Sequence, residues 1–232
     1  ILKVPEPPSA KSEGGSAMHL SMDRVWHLKR DTITVAKIEA EIRSATSEYV
    51  DRSLLPSFEK SAVQEELLEI APEVAQALHP HFTQAGEVLT ESWFETEHSG
   101  VRLHGKMDAV LVEGDLVKVF DYKTKQAESV ASIKGETKAS TGDYFRQLVF
   151  YYTLLSAQSK YQGKKIEPAL VFVKPDDKGR CPTVSLPITE ADIVKVKGEI
   201  ASLVESVKTG KLITSFCDDE ECRWCKMAKI SK

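Results

Sequence analysis

The chain predicts an α/β (α+β) protein: a central mixed sheet with an antiparallel meander, flanked by helices and preceded by a helical layer. Three observations predict this. Apolar residues recur at helical spacing in the first third, as in Val63, Leu67 and Ile70. Near Gly86 the period changes, and residues 87–97, EVLTESWFETE, open a set of three strand-like runs. Helical and strand-like segments then alternate as far as Gly210, the pattern of a sheet covered by helices.

Each element has its own signal. Residues 1–15 carry three Pro and several Gly and Ser, and read as a linker or mobile arm. Residues 16–29 read as a helix with Met18, Met22, Val25 and Trp26 on one face and His19 along it. Residues 32–55 and 61–78 read as further helices, broken near Pro56 and Pro72. Strands follow at 87–97, 101–112 and 116–124, joined at Ser99-Gly100 and Gly114-Asp115. Residues 126–142 are polar and predict a surface loop that can face substrate. Asp143 is placed to cap a helix running to about Ser159. The apolar run 166–173 predicts a buried strand, and 183–186 a short edge. Thr189-x-x-Asp192 is a capping-box variant that opens a helix with Ile193, Val196, Ile200, Leu203 and Val207 as its buried stripe. Trp26 and Trp93 read as core. After the arm, the reading is one domain over 16–232: a helical layer (16–85), a core (86–210) and a cysteine-containing tail (211–232).

Composition bounds the function. The 232 residues are enough for one substantial core, and 41% hydrophobic with 28% charged residues is ordinary for a globular protein. A net charge of −4 argues against a general nucleic-acid coat but not against an enzyme with local basic clusters. No run is apolar enough to predict a membrane span. Three of the four cysteines cluster near the end of the chain, which fits metal binding in a reducing, intracellular setting better than a disulfide framework. The first residue is Ile1 rather than Met, as expected of a domain excised from a larger protein.

The chemistry concentrates in residues 101–125, VRLHGKMDAVLVEGDLVKVFDYKTK. If Gly114-Asp115 is a two-residue hairpin loop, paired positions sum to 229, and Asp108 faces Asp121. Opposed Cβ atoms lie about 4.5–5.5 Å apart, where like charges repel, so a hard divalent cation is the natural reason to hold both. Lys123 shares the face of Asp121, whereas the Tyr122 side chain points the other way and should be buried. Asp108, Asp121 and the Tyr122 backbone carbonyl can hold Mg²⁺ or Mn²⁺, with His19 as a nitrogen ligand. Lys123 can stabilise negative charge as it develops on an attacked phosphate. Gln147 and Tyr151, one helical turn apart, can hold a phosphate or orient Lys123.

Gly105-x-x-Asp108, Asp121-Tyr122-Lys123-Thr124 and Gln147-x-x-x-Tyr151, preceded by Gly15-x-x-x-His19, resemble the RecB-like branch of the PD-(D/E)XK nuclease superfamily. The four motifs stand in the family's order. The resemblance implies a restriction-endonuclease-like core and a metal-dependent DNA nuclease. Such domains are often fused to a helicase, as in AddAB and RecBCD enzymes, and act in DNA repair and recombination. A cytoplasmic setting, bacterial or viral, follows from the same resemblance. It further implies His19, Asp108 and Asp121 as metal ligands, Lys123 as the catalytic lysine, and Gln147 and Tyr151 as accessory residues. Glu91 matches an acid on the first strand of that branch.

Some relatives hold a [4Fe–4S] cluster with one upstream and three late cysteines. Here Cys217, Cys222 and Cys225 supply three thiols, Ser231 stands near where a later Cys is expected, and no Cys precedes His19. Three cysteines do not complete a Cys₄ cluster, and a zinc site would need a fourth ligand, which a segment outside the chain could supply. Two rival readings are a catalytically silent nuclease-like domain that binds DNA or scaffolds a helicase complex, and a hydrolase of small phosphorylated substrates. The first should have lost an acid or the lysine. The second should have a small closed pocket.

Overall fold

The computed structural model describes residues 8–211 together with Cys217, Cys222, Cys225 and Lys226. Helices α1 (Ala10–Trp26), α2 (Val35–Arg52) and α3 (Ser57–Phe82) form the amino-terminal layer. The arm expected over 1–15 gives way to helix at Ala10, because the Ser9 side chain accepts from the Ser12 N–H and caps the first turn. Docking on α3 offsets the poor helix propensity of Gly14 and Gly15: a Cβ on Gly14 would lie 3.4 Å from Val63 Cγ1. The break expected at Pro72 is absent. Pro72 and Pro80 both lie on the exposed side of α3, where water can satisfy the carbonyls they free.

The sheet has the order β1-β2-β3-β4-β5, with β1 (Glu87–His98), β2 (Val101–Glu113), β3 (Leu116–Lys123), β4 (Lys165–Phe172) and β5 (Thr183–Ser185). It is mixed: β3 and β4 run parallel and all other neighbours antiparallel. The parallel crossover carries α4 (Val130–Lys134) and α5 (Asp143–Ser156). The expected surface loop therefore contains one short helix, anchored by buried Ile133. Gly142, at φ 73, takes the cap position expected of Asp143, whose carboxylate instead accepts from Thr141 Oγ1 and Arg146. Helix α6 (Glu190–Lys208) opens with the expected capping box. Its stripe is buried only at Ile193 and Val196, while Leu203 and Val207 are exposed.

Helices α1–α3 cover one face of the sheet, packing Met18, Met22, Trp26 and Phe82 on Ala109, Leu111, Phe120 and Tyr122. Helix α5 covers the other, packing Tyr151, Leu154 and Leu155 on Met107, Val110, Val117 and Val119. Among the described residues no helix is long and apolar enough to cross a membrane.

The outer hairpin breaks the simple alternation of strands. Thr90 pairs with Ala109 and Ser92 with Met107, and the pair between them, Glu91 and Asp108, is skipped. Met107 packs toward α5 but Ala109 toward α1–α3, although residues two apart should share a face. Val88 and Phe94 of β1 show the same inversion. Glu91 absorbs it with φ 50, a left-handed conformation that costs a non-glycine residue about 1–2 kcal/mol.

Candidate active site

The hairpin register follows the 229 rule from Glu113↔Leu116 to Ala109↔Phe120, and the backbone ladder stops there. Asp108 leaves the ladder and accepts the Tyr122 N–H at Oδ2, 2.8 Å away. Its Oδ1 lies 3.2 Å from His19 Nδ1 on α1. Glu91 approaches from β1, and one ligand atom each from His19, Glu91 and Asp108 lie within 4.8 Å of one another. Lys106 holds Glu91 in an ion pair. Burial alone would lower the pKa of His19, but the hydrogen bond to Asp108 and the charges of Asp108, Asp121 and Glu91 raise it above 6.5. The Lys123 carbonyl accepts from Val173 N beyond β4, so the Tyr122 main-chain groups point the other way, toward Asp108.

Asp121 stands outside that group and is clamped from α5. Its Oδ1 accepts Gln147 Nε2 at 2.8 Å and the Tyr151 hydroxyl at 3.0 Å. Lys123 Nζ lies 2.5 Å from Asp121 Oδ2 and donates to Gln147 Oε1 at 2.8 Å. Lys123 is ion-paired to the buried Oδ2, which takes no hydrogen bond from Gln147 or Tyr151. Burial raises the Asp121 pKa and the charge on Asp108 adds to this, against the opposing pull of Lys123. Burial and the charges of Asp121 and Asp108 hold the Tyr151 phenol well above 10, so it remains a donor. Gly105 lies under α5: a Cβ there would come within 2.8 Å of Leu154 Cδ1, and the Leu154 side chain would have to shift.

Tyr122 is buried on the opposite face, as its position in the strand predicts. Trp26 Nε1 donates to the Tyr122 hydroxyl at 2.7 Å, and that hydroxyl lies 2.9 Å from His81 Nε2. A neutral His81 accepts the phenolic proton and completes the chain. Burial, assisted by Lys118, lowers the His81 pKa to about 3.

The donor set suits a hard divalent cation. One imidazole nitrogen and two carboxylates converge, and the buried Asp121 Oδ2 is engaged by the Lys123 ion pair alone. A cavity of about 910 Å³ opens beside them, lined by His19, Glu91, Lys106, Asp108, Tyr49 and Thr124. It adjoins a second of about 740 Å³ through shared residues Ser9, Ser12, Leu20 and Tyr49. Cys217, Cys222 and Cys225 bring three sulfurs within 4.8 Å of one another, with 3.3 Å between Cys217 and Cys225 Sγ, and Ser231 lies outside the described residues. Sequence reasoning missed Lys106, although it stands two residues before Asp108. It also took Trp93 for core, whereas Trp93 is 64% exposed.

A mixed sheet with two aspartates and a lysine on neighbouring strands, clamped by Gln and Tyr from a crossing helix, defines a restriction-endonuclease-like protein. The PD-(D/E)XK nuclease superfamily model matches residues 1–230, and the chain belongs to that superfamily. A comparison with curated proteins gives no match. Among solved structures, the chain is similar to that of a "Putative exonuclease" from Eubacterium rectale, with TM-score 0.57 and 13% identity over 97% of this chain and 76% of that one. A second, of SSO0001, aligns over 95% of this chain and 93% of that one at 18% identity, but its TM-score of 0.36 carries no argument.

Proposed function

We propose that this chain is a Mg²⁺- or Mn²⁺-dependent deoxyribonuclease of the RecB-like type, hydrolysing phosphodiester bonds of DNA in repair or recombination beside a helicase. The observation that carries this reading is the convergence of His19, Glu91 and Asp108 next to an Asp121–Lys123–Gln147–Tyr151 cluster. Nuclease chemistry is that of the superfamily, and the exonuclease name of the similar Eubacterium rectale protein accords with it. The two large cavities adjoin through shared lining residues, and a space of that extent suits a polymer better than a small phosphorylated metabolite.

His19, Glu91, Asp108, Asp121 and the Tyr122 carbonyl are the residues that would hold the cation. When bound, such a cation offsets phosphate charge and acidifies water. The chain's own groups do the rest. Asp108 is oriented by the Tyr122 N–H and His19. Gln147 and Tyr151 fix the Asp121 carboxylate. Lys123, held between Asp121 and Gln147, presents its ammonium to charge developing on the phosphate.

Purified protein with Mn²⁺ is expected to degrade linear DNA, and Asp121→Ala is expected to abolish this with the circular dichroism spectrum unchanged. Wild-type activity in the variant overturns the site assignment. Anomalous scattering from Mn²⁺-soaked crystals is expected to peak among His19, Glu91 and Asp108, and a peak elsewhere removes the metal reading.

A further inference from the structure

We propose that Trp93 and His104 form a stacking platform for an unpaired base of the DNA strand entering the site. This rests on the nuclease reading above and adds to it a subsite for one unpaired base. The inversion at Glu91 and Asp108 carries the argument. Beyond it, the side of β1 and β2 that faces α5 is packed by Phe94 and Met107, and the opposite side is left uncovered. Trp93 lies on that uncovered side at 64% exposure, an unusual place for an indole. Its ring packs against the His104 ring, tilted 43° at a centroid distance of 5.3 Å, which holds the exposed indole in place.

This surface is continuous with the reaction cleft. Trp93 pairs across the ladder with Lys106, and Lys106 lines the 910 Å³ cavity with His19, Glu91 and Asp108. Trp93 is two residues along β1 from Glu91, no more than about 6.6 Å at full strand rise. A strand with its phosphate at Asp108 thus brings a neighbouring base over the indole. Of the other charges on this face, Arg102 Nε donates to Glu95 at 2.8 Å and Lys106 is paired with Glu91. The platform therefore contributes a π-surface rather than a strong positive field. Stacking on it tolerates any base and requires that base to be unpaired. An exposed indole can also seat a partner protein, but an aromatic pair beside a lysine that lines the candidate nuclease cleft favours the nucleic-acid strand.

The test uses the whole chain and separates binding from cleavage. Binding of an oligothymidylate of roughly 12 nucleotides, within the usual range of single-strand sites, is measured in EDTA by tryptophan fluorescence quenching and anisotropy. Cleavage is measured separately with Mn²⁺. Trp93→Ala is expected to weaken single-strand binding about 5- to 100-fold, matching the usual cost of losing one stacked base. It is also expected to remove most of the quench, to raise KM more than it lowers kcat, and to leave the melting temperature unchanged. Trp93→Phe is expected to restore most of the affinity, and duplex binding to change little in either variant. If wild-type protein neither binds nor cleaves DNA, the nuclease reading itself fails. If it does both, the platform alone is overturned by any of three results. These are Trp93→Ala matching wild type, Phe failing to rescue, and Trp93→Ala leaving DNA binding intact while altering self-association in ultracentrifugation.

Discussion

The two halves of the candidate site hold the same kind of residue in opposite environments. Asp108 faces the cleft, with His19 and Glu91 around it. Asp121 is 3% exposed and gripped by a phenol, an amide and an ammonium. The contrast follows from what lies over each strand. Helix α5 closes on β3, whereas the inversion on β1 and β2 tips Asp108 and Glu91 into the cleft. A carboxylate's role is thus set less by its identity than by whether its oxygens are already engaged. The open half offers lone pairs, and the clamped half offers a fixed geometry in which one oxygen is held by Lys123 alone.

The largest effect is expected where the clamped half meets substrate. Lys123→Ala should lower kcat by about 10²–10³-fold, the usual cost of losing one preorganised electrostatic donor. Its Mn²⁺ affinity, read by calorimetry, should change far less than that of Asp108→Ala. Equal losses of metal affinity would erase the distinction between the halves.

Next comes Tyr151→Phe, which removes one of the two hydrogen bonds to Asp121 Oδ1 and leaves Gln147 in place. Such outer partners are typically worth about 10- to 100-fold in activity or metal affinity. Wild-type kinetics would show that the clamp does not position Asp121.

The floor beneath the clamped half predicts a pH dependence. His81 is neutral in the fold, with its pKa lowered from 6.5 to about 3 by burial. In that window the unfolded chain binds a proton that the folded chain does not. Stability is therefore full above about pH 6.5 and is lost as pH falls toward 3, by up to about 1.4 kcal/mol per unit. Urea titrations from pH 7 to 4 should show this slope, and His81→Gln should remove its share. An identical slope in the variant would assign the loss to other groups.

The smallest effect is expected on the open side. Glu91→Gly should move the unfolding free energy by less than about 1 kcal/mol, because relief of the left-handed backbone offsets the entropy glycine gains in the unfolded chain. Activity should nonetheless fall by an order of magnitude or more. A destabilisation of several kcal/mol would mean that the Glu91 carboxylate is structural.

Much of this was legible in the sequence. The loop Gly114-Asp115 sets the register of β2 and β3, and spacing alone places Lys123 beside Asp121 and Tyr122 on the far face. What period-2 reasoning cannot show is the inversion. It assumes that Met107 and Ala109 share a face, and nothing in the residue types of 90–92 announces a left-handed glutamate. From that single break follow the omission of Lys106 and the misplacing of Trp93. The start of α1 was hidden for a different reason. Gly14, Gly15 and the nearby prolines have loop propensities, which tertiary docking overrides. His81 showed no pattern because its partner, Tyr122, is 41 residues away.

The bond between Trp26 and Tyr122 joins residues 96 apart, and Lys123 is flanked by Phe172 of a strand made still later. During synthesis, the helix bearing His19 emerges long before the strand it must meet. That strand in turn waits 49 residues for its parallel neighbour, roughly 2–10 s at ordinary elongation rates. Parallel pairing of this kind forms late, after the intervening loop has been closed. The nascent chain therefore carries these acids and this lysine without their mutual geometry, which is complete only once α5 and β4 have been made.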